Sequence, residues 1–208
     1  MNVCIFPKPF TWYEFTKRII DIVGASACII LFSPVIVLAS ILIKIDSEGP
    51  VFYCQKRCGK DGKEFCMMKL RSMVYNADDL KPTLQNEVEG SVFKIKNDPR
   101  VTRIGSFLRK ASIDELLQLL NVLRGDMSLV GPRPLAAEEM EGDSEWKKSR
   151  LSVKPGITGL WQIKCRGSEK FEDWIKYDTE YVRKKSLFLD MKILFATIPA
   201  VLKGRGAH

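Results

Sequence analysis

Asp114 and Glu115 stand side by side at the head of an apolar run, Leu116, Leu117, Leu119, Leu120, Val122 and Leu123, which closes at Gly125. Ser112, with Glu115 three positions on, has the spacing of a capping box. The sequence therefore predicts a helix that carries both carboxylates in its first turn and stops at the glycine. Free backbone donors and the helix dipole favour negative charge there and keep both side chains ionised. An Asp and a Glu in a first turn are by themselves ordinary helix-starting residues. Their company suggests chemistry: Arg100, Arg103, Arg109 and Lys110 precede them, more cation than two carboxylates neutralise, and a positive field beside a helix start suits a phosphate. Carboxylates beside phosphate oxygens also attract Mg²⁺, which takes one or two such ligands and completes its shell with substrate and water. Past the helix, Gly131-Pro132-Arg133-Pro134 holds one guanidinium between two prolines, an arrangement suited to bidentate recognition of a diphosphate. A structural salt bridge explains Arg133 equally well.

These residues need elements to position them. Val51 to Tyr53 and Lys63 to Leu70 read as two short strands around a Gly59-Lys60-Asp61-Gly62 turn, and the second strand would send Lys69 and Arg71 out from one face. Tyr75 to Gly90 reads as a polar excursion, helical around Ala77 to Leu80, and Asn97-Asp98-Pro99-Arg100 as a turn. Lys154 to Gln162 is a glycine-punctuated turn. Phe171 to Arg183, with Asp173, Asp178 and Glu180, is helical, and Leu187 to Leu202 is an amphipathic helix that packs on the core or lies in a membrane interface. Upstream of all of these, Ile22 to Ile43 is 22 residues without a charge, between Lys17-Arg18 and Lys44, long enough to cross a bilayer core of about 30 Å as a helix. It exceeds a signal peptide's apolar region, and no small-x-small cleavage site closes it. Ser33-Pro34 falls near its midpoint, where proline removes a backbone donor and bends or breaks the helix. A kinked crossing and a hairpin that returns to the same face both remain open. Positive charge on both flanks gives a single crossing no clear orientation, and a same-side hairpin removes that conflict.

Length and composition set the outer limits. The chain has 208 residues, enough for one domain plus a membrane element, and a net charge of +8 that favours anionic partners. Neither G-x-G-x-x-G nor a Walker A motif occurs, which disfavours dinucleotide and P-loop chemistry. The single histidine, His208, excludes His-based triads. The six cysteines have no disulfide-framework spacing and fit a reducing compartment. Zinc at Cys54, Cys58 and Cys66 would lack a fourth ligand. Aromatic residues are not interleaved with the basic clusters, so nucleic acid is not an expected partner. The competing reading is a non-catalytic, membrane-anchored basic adaptor that binds anionic lipid.

The ordered motifs carry a resemblance. Lys17-Arg18-Ile19-Ile20-Asp21, Ser33-Pro34, Met68-Lys69-Leu70-Arg71-Ser72-Met73, Leu108 to Leu116, Asn121 to Ser128, Gly131-Pro132-Arg133-Pro134 and Pro155 to Leu160 together resemble the monotopic polyprenol-phosphate phosphoglycosyl transferases, bacterial sugar transferases that initiate glycan assembly on undecaprenyl phosphate. The likeness runs to about Val201. It implies an α-rich α+β fold: an N-terminal segment to residue 15, a re-entrant helix-break-helix over 16–45 with Ser33 and Pro34 at the break, and a small cytoplasmic catalytic domain over 46–208. That domain would hold the β-hairpin and amphipathic interfacial helices, at the bacterial inner membrane. It implies Mg²⁺-dependent ping-pong transfer of a sugar-1-phosphate from a UDP-sugar, with Asp114 as nucleophile and UMP released. Glu115 would join Asp114 at the metal. Lys69, Arg109 and Arg133 would bind phosphate, with Arg166, Asp178 and Asp190 as further polar members of the site. Two positions depart from the family pattern: Leu117 replaces a proline, which should strengthen the helix, and Lys164-Cys165-Arg166 lacks the glycine that often precedes the arginine. Lys96-Asn97-Asp98-Pro99-Arg100 resembles the hexose-transferring members.

Overall fold

A computed structural model describes residues 11–84, 95, 97–140, 144–165 and 171–202. It opens on α1 (Trp12–Asp46), 35 residues long, begun by a capping box in which Thr11 and Glu14 exchange side-chain and backbone bonds. The expected break at Ser33-Pro34 is carried inside a helix assigned without interruption. Pro34 leaves the Ile30 carbonyl without its usual donor, and the Ser33 hydroxyl takes that carbonyl at 2.9 Å, so the helix survives its proline. Both arms rest on the same globular body: Ala25, Cys28 and Ile29 pack with Met67, Leu119 and Val122, while Ile36, Ala39 and Ile43 pack with Leu70, Leu108 and Leu117. Between them Ile30, Leu31, Val37 and Leu38 are exposed. Only 11% of the most apolar stretch of α1 is buried in the protein. A core helix would be covered; this one fits association with a membrane.

The charges flanking the apolar run are spent on structure. Arg18 donates to the carbonyls of Val122 and Leu123 at 2.6 and 2.7 Å, capping the end of a later helix, and Lys17 pairs with Asp190 at 2.8 Å. Asp21, buried, accepts from the Ser128 hydroxyl and the Leu129 amide.

The hairpin forms where the sequence places it: β1 (Phe52–Cys58) runs antiparallel to β2 (Glu64–Leu70), with Tyr53 opposite Lys69. The sulfurs of Cys54 and Cys66 are bonded across it, which departs from the expectation of free thiols. They lie diagonally on one face of the hairpin, a spacing invisible in the one-dimensional sequence. After β2 come α2 (Ala77–Leu80), α3 (Arg103–Lys110), capped by Thr102, and α4 (Gln118–Arg124), which ends at Gly125 in the left-handed conformation.

The expected capping box at Ser112 does not form. Ser112 itself is left-handed (φ 56°) and makes no capping bond, Ile113–Glu115 is a single 3₁₀ turn, and α4 begins only at Gln118. Leu117 therefore sits just before α4, where proline is tolerated, and its expected strengthening of the helix loses its basis.

The strand β3 (Ser128–Val130) pairs in parallel with β4 (Gly156–Thr158), so the glycine-punctuated stretch is part of a two-stranded sheet rather than a plain turn. Gly131 and Gly156 are obligatory at this crossing, because a Cβ on either would strike the other segment's backbone. Around this pair pack α5 (Glu145–Leu151), α6 (Leu160–Cys165), α7 (Phe171–Lys184) and α8 (Leu187–Leu202). The face that α8 exposes is largely apolar, with Phe188, Met191, Phe195 and Ile198 at helical spacing around a single exposed Lys192, and its covered side holds Ile193 and Asp190. The polarity is thus the reverse of a soluble amphipathic helix.

Candidate active site

The site is assembled from three segments that converge on the 3₁₀ turn. Asp114 is buried and Glu115 half-buried on that turn. Glu115 receives the Arg133 guanidinium at 2.6 Å and faces Lys69 at 3.6 Å. Asp114, among the described residues, has no hydrogen bond or ion pair. Its charged neighbours Lys69, Arg109 and Arg133 act on it only through space, and burial, reinforced by Glu115, pushes its carboxyl up to about 6. One carboxylate is thus committed to cations and the other is held free.

Each cation has its own support. The strand that carries Lys69 is held by Asn121, which is fully buried on α4 and bonds one edge of β2, accepting from the Met68 amide at 2.9 Å and donating to the Cys66 carbonyl at 2.7 Å. Arg109 is tied through Nε to the Ser72 hydroxyl at 2.8 Å. Gly105 makes that approach feasible, since a Cβ there would collide with the Ser72 backbone. Arg133 leaves the Gly131 crossing between its prolines. Burial pulls Lys69 and Arg109 down from their ordinary values, whereas Glu115 draws Arg133 up.

Other expected members lie elsewhere. Arg100 is buried against Asp98 at 2.6 Å and the Ala77 carbonyl, so it supplies no spare charge to the pair. Arg71 does not share Lys69's direction; it binds the Ser47 and Glu48 carbonyls at the end of α1. Asp178 is buried against Arg150, and Asp190 is buried among Tyr13, Lys17 and Tyr181 at 2.8–2.9 Å. Both are structural anchors in this arrangement rather than open phosphate ligands. Arg166 lies outside the described residues. In the other direction, the sequence reading missed Arg57. It sits on the same face of the hairpin as Lys69 and pairs with Glu139 at 3.1 Å, close enough to Arg133 to feel its charge.

A bacterial sugar transferase family model matches residues 12–204. The chain belongs to that family. It is 42% identical to the exopolysaccharide production protein ExoY of Rhizobium meliloti, across 92% of this chain and 88% of that protein. It is 44% identical to the UDP-galactose-lipid carrier transferase of Erwinia amylovora and 40% to the undecaprenyl-phosphate glucose phosphotransferase of Komagataeibacter xylinus. Each of these two matches covers 94% of this chain but only 42% and 37% of the longer relative. The matched region spans α1 and every described element of the site.

Proposed function

We propose that this sugar transferase moves a sugar-1-phosphate from a UDP-sugar to undecaprenyl phosphate through a covalent intermediate on Asp114, and so initiates polysaccharide assembly. The observation that carries the reading is the uncommitted, buried carboxylate of Asp114 beside a Glu115 already neutralised by Arg133 and Lys69. In the first half-reaction an Asp114 oxygen attacks the sugar-bearing phosphorus. The bond from that phosphorus to the bridging oxygen breaks, and UMP leaves with the electron pair. In the second, an oxygen of the lipid phosphate attacks the same phosphorus and returns the Asp114 carboxylate, giving the polyprenyl diphosphate sugar.

Two negative reactants oppose each other in that attack, and Lys69, Arg109 and Arg133 offset the repulsion. Among the described residues no group of three or more metal-type side chains occurs. The adjacent pair suits Mg²⁺, which needs only one or two carboxylates when phosphate oxygens and water complete its shell. Asp114 and Glu115 would hold it, and the ion would neutralise phosphoryl oxygens and stabilise the leaving UMP. Names among the relatives point to galactose and glucose donors, and a UDP-hexose is the donor proposed here. In this reading α1 bends at Ser33-Pro34, enters one leaflet of the cytoplasmic membrane from the cytoplasmic side and returns, so that the lipid phosphate meets Asp114 at the interface.

Intact-mass measurement after incubation with UDP-hexoses and Mg²⁺, without lipid acceptor, tests the mechanism. A sugar-phosphate adduct on the wild type and none on Asp114→Asn is expected; an adduct that persists in the variant overturns the nucleophile assignment.

A further inference from the structure

Arg150 sits on α5, away from the carboxylate pair, yet it is buried to 6% exposure and its two terminal nitrogens are divided between two tasks. One donates to the Asp178 carboxylate on α7, and the other donates to the backbone carbonyl of Arg133. Pro132 and Pro134 leave the Arg133 backbone few alternatives, but they do not fix which way the whole turn faces. A guanidinium pinned from behind on that carbonyl does. With the carbonyl held by α5, the side chain meets Glu115 at 2.6 Å. The same turn is tied to the hairpin by the Cys58 amide, which donates to the Leu135 carbonyl at 2.9 Å. A small cavity behind the turn, lined by Arg133, Pro134, Arg150 and Leu151, leaves space into which an unpinned turn could move.

A buried ion pair is a costly way to join two helices, because the desolvation of both charges offsets most of their attraction and an apolar pair of the same volume often does as well. Its placement directly behind Arg133 points to alignment rather than stability. We propose that Arg150, held by Asp178, is a positioning residue that sets the direction of Arg133 and thereby the affinity for the donor's diphosphate. This rests on Arg133 being a phosphate contact, and the test separates the two ideas.

The probe is UDP with Mg²⁺, titrated calorimetrically into the full chain in detergent, with thermal unfolding recorded for every variant. Arg150→Lys keeps the charge opposite Asp178 but has no fork to reach both partners. UDP is expected to bind it about tenfold more weakly, the size of one charge-assisted hydrogen bond. Should that variant not fold, Asp178→Asn, which frees the Arg150 guanidinium from its anchor, is expected to weaken UDP in the same direction. The decisive comparison is Arg150→Lys in an Arg133→Ala background, where no further loss is expected, because a residue acting through Arg133 has nothing left to position. Arg133→Ala weakening UDP while Arg150→Lys leaves it unchanged, or the two losses adding in full, overturns the positioning role alone. Unchanged UDP binding in Arg133→Ala overturns the phosphate contact and the proposal with it.

Discussion

Asp114 is a buried carboxylate whose ionisation works against the fold. Its folded value of about 6 lies above the ordinary 3.8, so the stability it contributes is present at low pH and is lost as pH rises through about 6. Asp114→Asn is therefore expected to raise the melting temperature by a few degrees while abolishing UMP release, as differential scanning calorimetry and a UMP assay would read. A melting temperature that falls would mean that Asp114 is a supporting residue. The same raised value has a kinetic consequence, since only the ionised carboxylate is a nucleophile. UMP release measured as kcat/KM at low Mg²⁺ is expected to fall on going below about pH 6, and saturating Mg²⁺ should move that limb to lower pH by favouring the anion.

At the scale of elements, one side chain joins the hairpin to α4. Asn121 satisfies the Met68 amide and the Cys66 carbonyl together, and Asn121→Ala leaves both buried without partners. Its expected cost is about 2–4 kcal/mol, read from urea unfolding, with activity lost in parallel as Lys69 loses its aim. A change within a few tenths of that unit would show that β2 is held by packing alone. The helix α1 offers a second element-scale test. If it is a re-entrant hairpin, single cysteines at positions 12 and 48 in sealed vesicles react with an impermeant thiol reagent from the same side. Pro34→Ala restores a donor to the Ile30 carbonyl and straightens the helix, so some molecules of that variant should place the two positions on opposite sides. Opposite-side labelling of the wild type overturns the hairpin.

Among the described residues, the middle of α1 and the outer face of α8 each expose a run of large apolar side chains. The Asp190 network with Tyr13, Lys17 and Tyr181 joins the start of α1 to α7 and α8, so the two surfaces are linked through one buried carboxylate. Docking on a bilayer through both would explain why α8 turns Phe188 and Phe195 outward. Replacing both phenylalanines with aspartate is expected to reduce vesicle binding and lipid-linked product severalfold, while UMP release from the donor half-reaction persists. Equal loss of both reactions would place α8 in the catalytic fold rather than at the membrane.

What the sequence determined by itself rests on local spacing. The uncharged run, the hairpin around Gly59 to Gly62, the stop at Gly125 and the adjacency of Asp114 and Glu115 depend on neighbours along the chain, and periodicity and turn chemistry reach that far. The start of α4 differs from the expectation for the same reason: a capping-box spacing is only local, and it does not reveal that Ser112 takes a left-handed conformation and makes no capping bond. Which charges meet was decided by tertiary structure alone. The nearby Arg100 turns away to Asp98, while Lys69, dozens of residues upstream, and Arg133 beyond α4 reach Glu115. Asp178 and Asp190 became anchors because Arg150 and Lys17 are brought to them by helices distant in sequence. A buried charge takes whichever opposite charge the fold delivers, and that choice is written in how the elements pack, not in the order of residues along any one of them.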